Sequence, residues 1–263
     1  MPYTASIPQR IISLTPSLTE LLFALNSGDR VCGVTDSCDF PQEAKDRQNV
    51  GCWFEPDMAK LLALKPDMVM GLETAHHKLK QTIESRGIPV LLVNPTTVRE
   101  AIADISRIGK MLGAREKSEN LVADLRRRLS AMDDRVNNIA SPNKLTVCRI
   151  LDMDDGRFHV AGPLSFQYDI ISRAGGLNVT GAINEAYPNI TLTQLGEWNP
   201  QVIFNCGFDL ANNPNLAGRQ EWQSLKAVQA NRVFSFDCSL TCRTGPRIVD
   251  MVELLFKTLY PEN

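Results

Sequence analysis

The sequence predicts an α/β protein of two lobes, each a mainly parallel sheet flanked by helices, joined by one long helix. Three observations predict it. Strand-like and helix-like segments alternate through both halves of the chain, a stretch from 115 to 139 carries neither Gly nor Pro, and one helix-Pro-strand unit occurs twice. Strands separated by helices imply parallel pairing, because the crossover has to return the chain to the same end of the sheet. With 263 residues and 43% hydrophobic content, the chain is long enough for two modest cores.

In order, Arg10-Ile11-Ile12-Ser13-Leu14 is a short β-branched run. Ser17-Leu18-Thr19-Glu20 then has the spacing of a capping box opening the apolar helix Leu21-Leu22-Phe23-Ala24-Leu25, which Gly28 closes. Val31 to Val34, Met68-Val69-Met70 and Val90-Leu91-Leu92-Val93 read as further strands with helices between them. From 115 to 139 the apolar residues Leu121, Leu125, Leu129, Met132, Val136 and Ile139 recur at helical spacing with charges between them. That helix would span about 36 Å, the width of a domain, before Ser141-Pro142-Asn143 ends it. Alternation then resumes with Leu145-Thr146-Val147-Cys148, a helix near Phe166 to Ser172 closed by Gly175-Gly176, strands at Val202-Ile203-Phe204 and Val233-Phe234-Ser235, and a last helix from Arg247 to Leu259. The expected division is 1–114 for the N-terminal lobe, 115–140 for the linking helix and 141–263 for the C-terminal lobe.

The internal repeat runs from Met58 to Met70 and from Leu192 to Phe204, each a helix, a Pro turn and a strand. Proline cannot continue a helix and biases its predecessor to extended geometry, so both units change direction at the same place.

A net charge of −2 leaves no excess of Lys and Arg to neutralise a phosphate backbone, which argues against nucleic acid as a partner. No apolar run approaches the ~20 residues that span a bilayer, and Met1-Pro2-Tyr3-Thr4 lacks the pattern of a secretory leader. The compartment is therefore open: extracytoplasmic if a leader has been removed, cytoplasmic otherwise. Seven cysteines, an odd number without a paired C-x-x-C spacing, argue against both a full disulfide framework and a structural zinc knuckle. Cys238 and Cys242 are the one close pair.

Several segments in a fixed order carry a family resemblance: residues 10–20, Gly33-Val34-Thr35, Cys38-Asp39-Phe40-Pro41, Val50-Gly51, Leu64-Lys65-Pro66-Asp67-Met68-Val69-Met70, Gly175-Gly176-Leu177-Asn178-Val179 and Gly245-Pro246-Arg247-Ile248-Val249. Together they resemble the class III substrate-binding proteins that serve ABC importers of cobalamin and iron–siderophore complexes, over nearly the whole chain. The resemblance implies two α/β lobes on one rigid helix, a ligand gripped between them with little closure, and docking onto a permease through a glutamate from each lobe. At the places where such acids are expected stand Ala59 and Thr193, with Glu55, Glu73 and Glu197 nearby.

Ligands of open α/β sheets bind beyond the carboxyl ends of the strands, so the loops after each strand hold the candidates. In the first half these are Ser17 at a helix start, Cys38, then Cys52, Trp53 and Phe54, then His76 and His77. In the second they are Cys206 and Phe208, then Cys238, Cys242 and Arg243, with Arg157 and His159 on the same rim. Ser17 can equally be a plain helix cap, the cysteines small buried hydrophobes, and the aromatic residues core packing. As a functional set, thiolate with imidazole (Cys52, His76, His77, Cys206, Cys238, Cys242) suits a soft metal or the metal of a bound molecule. Trp53, Phe54 and Phe208 suit the wall of a flat macrocycle, and Arg243 needs an anion, from a ligand or from a structural ion pair.

The leading expectation is a non-enzymatic binding protein for a metal-containing small molecule, by resemblance a corrinoid or a ferric siderophore or haem-like chelate, with an ABC permease as partner. No cofactor is required beyond that ligand or a metal ion. Two alternatives use the same thiols: a cytoplasmic metal or redox sensor or carrier, and an enzyme with Cys238 or Cys242 as nucleophile and His76 or His77 as base. The common catalytic signatures, G-x-S-x-G, H-E-x-x-H, a P-loop and G-x-G-x-x-G after a strand, are absent from the sequence.

Overall fold

The computed structural model describes residues 6–154 and 156–261; the Met1-Pro2-Tyr3-Thr4 segment read for a leader lies outside the described residues. The chain forms two compact units. One takes in the chain up to Pro95, Arg99–Arg126 and Arg243–Pro246; the other takes in Thr96–Val98, Arg127–Cys242 and the chain from Arg247 onward.

The first unit is built on a wholly parallel sheet of β1 (Ile11–Ser13), β2 (Val31–Val34), β3 (Gln48–Asn49), β4 (Met68–Leu72) and β5 (Val90–Val93), in the order β3-β2-β1-β4-β5. Helices α1 (Pro16–Ala24), α2 (Met58–Ala63), α3 (Glu73–Glu84) and α4 (Val98–Met111) connect and follow the strands. Ile12, Leu14, Val50, Leu61, Val69 and Ile83 form its fully buried centre. The expected capping box at Ser17 is corrected: α1 begins earlier, at Pro16, with Thr15 at the cap and no side-chain capping bond. Pro16 sets the helical φ at a position where a missing N–H costs nothing, so the helix starts without help from Ser17.

Helix α5 (Arg115–Asn137) joins the units, and its 23 residues rise about 35 Å. Val122, Leu125, Leu129, Met132 and Val136 are buried along one stripe.

The second unit is mixed. β6 (Thr146–Asp154) pairs in parallel with β8 (Leu177–Asn178) and β10 (Val202–Cys206), and β10 with β11 (Val233–Phe236). β7 (Arg157–Val160) folds back antiparallel onto β6, and β9 (Asn189–Thr191) pairs antiparallel with β7. Arg157 and His159, expected on a loop, are therefore strand residues on the outward face of β7, alternating with buried Phe158 and Val160. The helices are α6 (Phe166–Arg173), α7 (Leu192–Trp198), the four-residue turns α8 (Pro214–Ala217), α9 (Gln220–Gln223), α10 (Lys226–Gln229) and α11 (Cys238–Thr241), and α12 (Ile248–Leu259). Ile150, Phe158, Leu195, Ile203 and Trp222 centre its core, with Trp222 stacked on Phe158 at 6.4 Å between rings. Arg128 of α5 is bound to Glu253 and Asp250 of α12, which ties the second half of α5 to this unit.

The repeat seen in sequence is a repeat in structure. α2 leads to β4 and α7 leads to β10, and in both the residue before proline, expected to be extended, is instead left-handed, Lys65 at φ 47° and Asn199 at φ 45°. The equivalence extends to side chains. The Asp67 carboxylate accepts the Gln9 and Arg10 N–H groups, while its own N–H donates to the Arg10 carbonyl; Gln201 at the matching place accepts the Thr146 N–H on Oε1 and donates its N–H to the Thr146 carbonyl. In each unit one side chain after the Pro turn thus fixes the start of the neighbouring central strand.

Candidate functional site

The carboxyl ends of the first sheet present a loop between Gly51 and Pro56, whose backbones bridge and close it into a tight projection. At its tip Phe54 is 62% exposed and stands against Trp53 with ring centroids 4.2 Å apart. The Trp53 indole N–H is buried with no hydrogen-bond partner, a donor left unmatched beside an exposed aromatic face. Cys52, next in the loop, is exposed.

His76 holds this loop. The Leu72 N–H donates to His76 Nδ1 at 3.0 Å, so Nε2 carries the proton and donates to the Trp53 carbonyl at 2.8 Å. The ring is 1% exposed, and burial pushes its pKa below the ordinary histidine value. Both nitrogens being spent on backbone, the expected roles of His76 as metal ligand or catalytic base give way to a positioning role. His77 points to solvent and contacts Glu73 one helical turn away at 2.6 Å.

Three more candidates are structural. Arg243 is an ion-paired residue rather than a free ligand contact: its side chain, 11% exposed, binds Glu20 at 2.7 Å and Asp39 at 2.5 Å, both in the N-terminal unit. Glu20 is buried on α1, so the pair fixes the Arg243–Pro246 segment there. Ser17 is buried, its hydroxyl 3.0 Å from that of Thr15. Phe208 packs against the core of the second unit instead of forming an open wall.

The second sheet gathers thiols at its carboxyl end. Cys206 is the last residue of β10, Cys238 opens α11 and Cys242 follows it; Asp237 caps α11 by accepting the Ser239 N–H at 2.7 Å. Their three sulfurs lie within 4.8 Å of one another, with Cys206 and Cys242 3.2 Å apart. Among the described residues this is the one convergence of three metal-ligating side chains, and Cys52, His76 and His77 belong to none. Arg149, fully buried on β6, donates to Cys206 Sγ at 3.1 Å, to Cys242 Sγ at 3.4 Å and to the Ile150 carbonyl at 2.6 Å.

The three thiols titrate as a unit. The hydrogen bond from Cys242, with help from the Arg149 guanidinium, pulls Cys206 down to about 4. Burial, then the hydrogen bond to Cys206 and the charge there, push Cys238 up to about 11, and the bond to Cys206 pushes Cys242 up as well. The direction of these shifts makes Cys206 the first of the three to ionise, opposite the buried Arg149 guanidinium. By contrast Cys148, on β6, is pushed up to about 12 by burial and serves as a small core residue.

Arg149 is the residue that sequence reading missed. Its signal was a single cation inside the apolar run Val147-Cys148-Arg149-Ile150-Leu151, where a buried strand tolerates a charge only against a partner.

Comparisons with known proteins agree on one relationship. The uncharacterized ABC transporter substrate-binding lipoprotein YvrC of Bacillus subtilis (strain 168) is 29% identical over 259 residues, 97% of this chain and 81% of that protein. The vitamin B12-binding protein of Yersinia pestis (strain Pestoides F) is 26% identical over 204 residues, 77% of this chain and 71% of that one. Among solved structures, a periplasmic heme binding protein from Pseudomonas aeruginosa superposes with a TM-score of 0.85 at 24% identity, over 97% of this chain and 94% of that one. Residues 11–239 match the family model described as periplasmic binding protein, and two α/β lobes joined by α5 are the class III fold of such proteins: the chain belongs to the periplasmic binding protein family, whose members bind substrates for ABC transporters without catalysis.

Proposed function

We propose that this protein is the extracytoplasmic binding component of an ABC importer and carries a metal-containing small molecule, a corrinoid or a ferric siderophore or haem-like chelate. The observation that carries this reading is the Gly51–Pro56 projection: an exposed phenyl ring set against the Trp53 indole, with the Trp53 carbonyl held by a buried histidine. Flat apolar faces suit a macrocycle or aromatic chelate. Relatives named for vitamin B12 and heme supply the chemical class. Among the described residues no helix is long and apolar enough to cross a membrane, which suits a protein that meets a separate permease.

The test is calorimetric titration of the purified protein with aquocobalamin, cobinamide, haem and ferric siderophores. One member of the panel is expected to bind at one per chain, and Phe54→Ala to weaken it about tenfold, the ~1.4 kcal/mol of an aromatic contact. Failure of every member to bind, or chemical conversion of a bound one, overturns the proposal.

A further inference from the structure

We propose that Cys206, Cys238 and Cys242 form a three-thiolate site for a thiophilic divalent cation of the zinc and cadmium class, a function beyond carriage of a chelate. Three observations of the second unit carry it. The first is convergence. Three sulfurs from two separate segments lie within 4.8 Å of one another, and a tetrahedral zinc with sulfurs at about 2.3 Å needs them about 3.8 Å apart. Closing the set around one ion moves the widest pair by about 1 Å and opens the Cys206–Cys242 pair from 3.2 Å by roughly 0.6 Å. An axial ligand to a macrocyclic metal would need one thiol; three aimed at one point suit a bare ion with one remaining position for an outside donor.

The second is charge. Arg149 is fully buried, and among the described residues no carboxylate pairs with it; its contacts are the two sulfurs, the Ile150 carbonyl and the face of Phe204 at 5.4 Å. A buried cation needs an anion. Binding one M²⁺ through three thiolates, with whatever thiol protons remain released to solvent, leaves a complex of charge −1, which the guanidinium brings to zero. A Cys206–Cys242 disulfide is neutral and would leave Arg149 without an anion, so the charge of the site favours the cation over the crosslink.

The third is the backbone that makes room. Gly207 follows Cys206 with φ 80°, and a Cβ there would lie 2.9 Å from Cys238 Sγ. Only glycine combines that conformation with the close approach of the third sulfur. Asn205 and Ser235 both donate to the Phe208 carbonyl, at 2.5 and 3.2 Å, and hold this turn in place.

The experiment titrates the reduced, full-length protein anaerobically with Cd²⁺ alone, reading the ultraviolet thiolate-to-cadmium charge-transfer band, with X-ray absorption of the loaded protein counting sulfurs. One Cd²⁺ per chain with three sulfur neighbours is expected. Loss of one ligand should exceed the tenfold effect typical of losing a supporting contact, so Cys238→Ser and Cys242→Ser, both at exposed positions, should each weaken Cd²⁺ by more than about tenfold. Cys32→Ala, in the other unit, should not change it. A cadmium band unaffected by Cys238→Ser, fewer than three sulfur neighbours, or a reduced protein that binds no Cd²⁺ while air closes Cys206–Cys242 overturns the proposal. No macrocycle enters the assay, so its failure is distinct from failure of the carrier reading.

Discussion

Replacing Glu20 by Gln separates a buried ion pair from a surface one around the same cation. Glu20 is 2% exposed and Arg243 11%, whereas Asp39, the other partner of Arg243, is 50% exposed. Removing one charge of a buried pair costs ~3–5 kcal/mol because the remaining charge stays desolvated. Gln keeps the shape, and Asp39 still faces Arg243, which puts Glu20→Gln at the low end, ~3 kcal/mol. In a protein of this size ~1 kcal/mol moves the melting temperature by about 2–4 °C, so the expected drop is about 6–12 °C. Asp39→Asn should cost less than ~1 kcal/mol, since water screens an exposed carboxylate. The assay is thermal unfolding of both variants beside the wild type at one pH and salt. A Glu20→Gln protein melting within about 2 °C of wild type, or the two variants falling equally, would refute the role of burial assigned to this pair.

The remaining predictions follow from contacts described above. His76 stays neutral in the fold while the unfolded chain takes up a proton below about pH 6.5, so its contribution is intact above that pH and is lost as pH falls toward its depressed folded value, with a slope of at most about 1.4 kcal/mol per pH unit. His76→Gln should flatten the fall in melting temperature between pH 6.5 and 5; an unchanged slope would count against it. Asp67→Ala should cost ~2 kcal/mol and Gln201→Ala ~1 kcal/mol, because each frees the strand start of its own unit and the first loses charge-assisted bonds; urea unfolding checks both. Gly207→Ala should destabilise by roughly 1–3 kcal/mol through backbone strain and displacement of Cys238, whereas Gly218→Ala, with open space around the added carbon and a negative φ, should be near neutral.

Sequence showed the fold where patterns were long and repeated. The stripe from Leu121 to Val136 marked α5 within two residues of its observed end, and the twin Pro turns marked related units because Pro66 and Pro200 interrupt both helices at one place. It did not show β3, two exposed polar residues that pair only because β2 lies beside them, nor the β7–β9 arm, whose residues Arg157 and His159 were expected on a rim loop. At the site, Cys238 and Cys242 announced themselves as a close pair. That Cys206 joins them depends on the β10–β11 register, which opposes Cys206 and Phe236 and so brings residues distant in sequence to one sheet end. Burial decided the other cases: His76, Ser17 and Arg243 have the right chemistry for ligands, but their polar atoms are committed to the protein itself. Nothing local in the sequence distinguishes a histidine facing solvent from one that fastens a loop.

The carrier reading is tested most directly by native mass spectrometry of the protein after incubation with the corrinoid, haem and ferric siderophore panel, followed by release and analysis of whatever has bound. The expected result is a chain heavier by one intact chelate, recovered chemically unaltered. A chain that stays at its own mass with every member, or that returns a modified molecule, would contradict it.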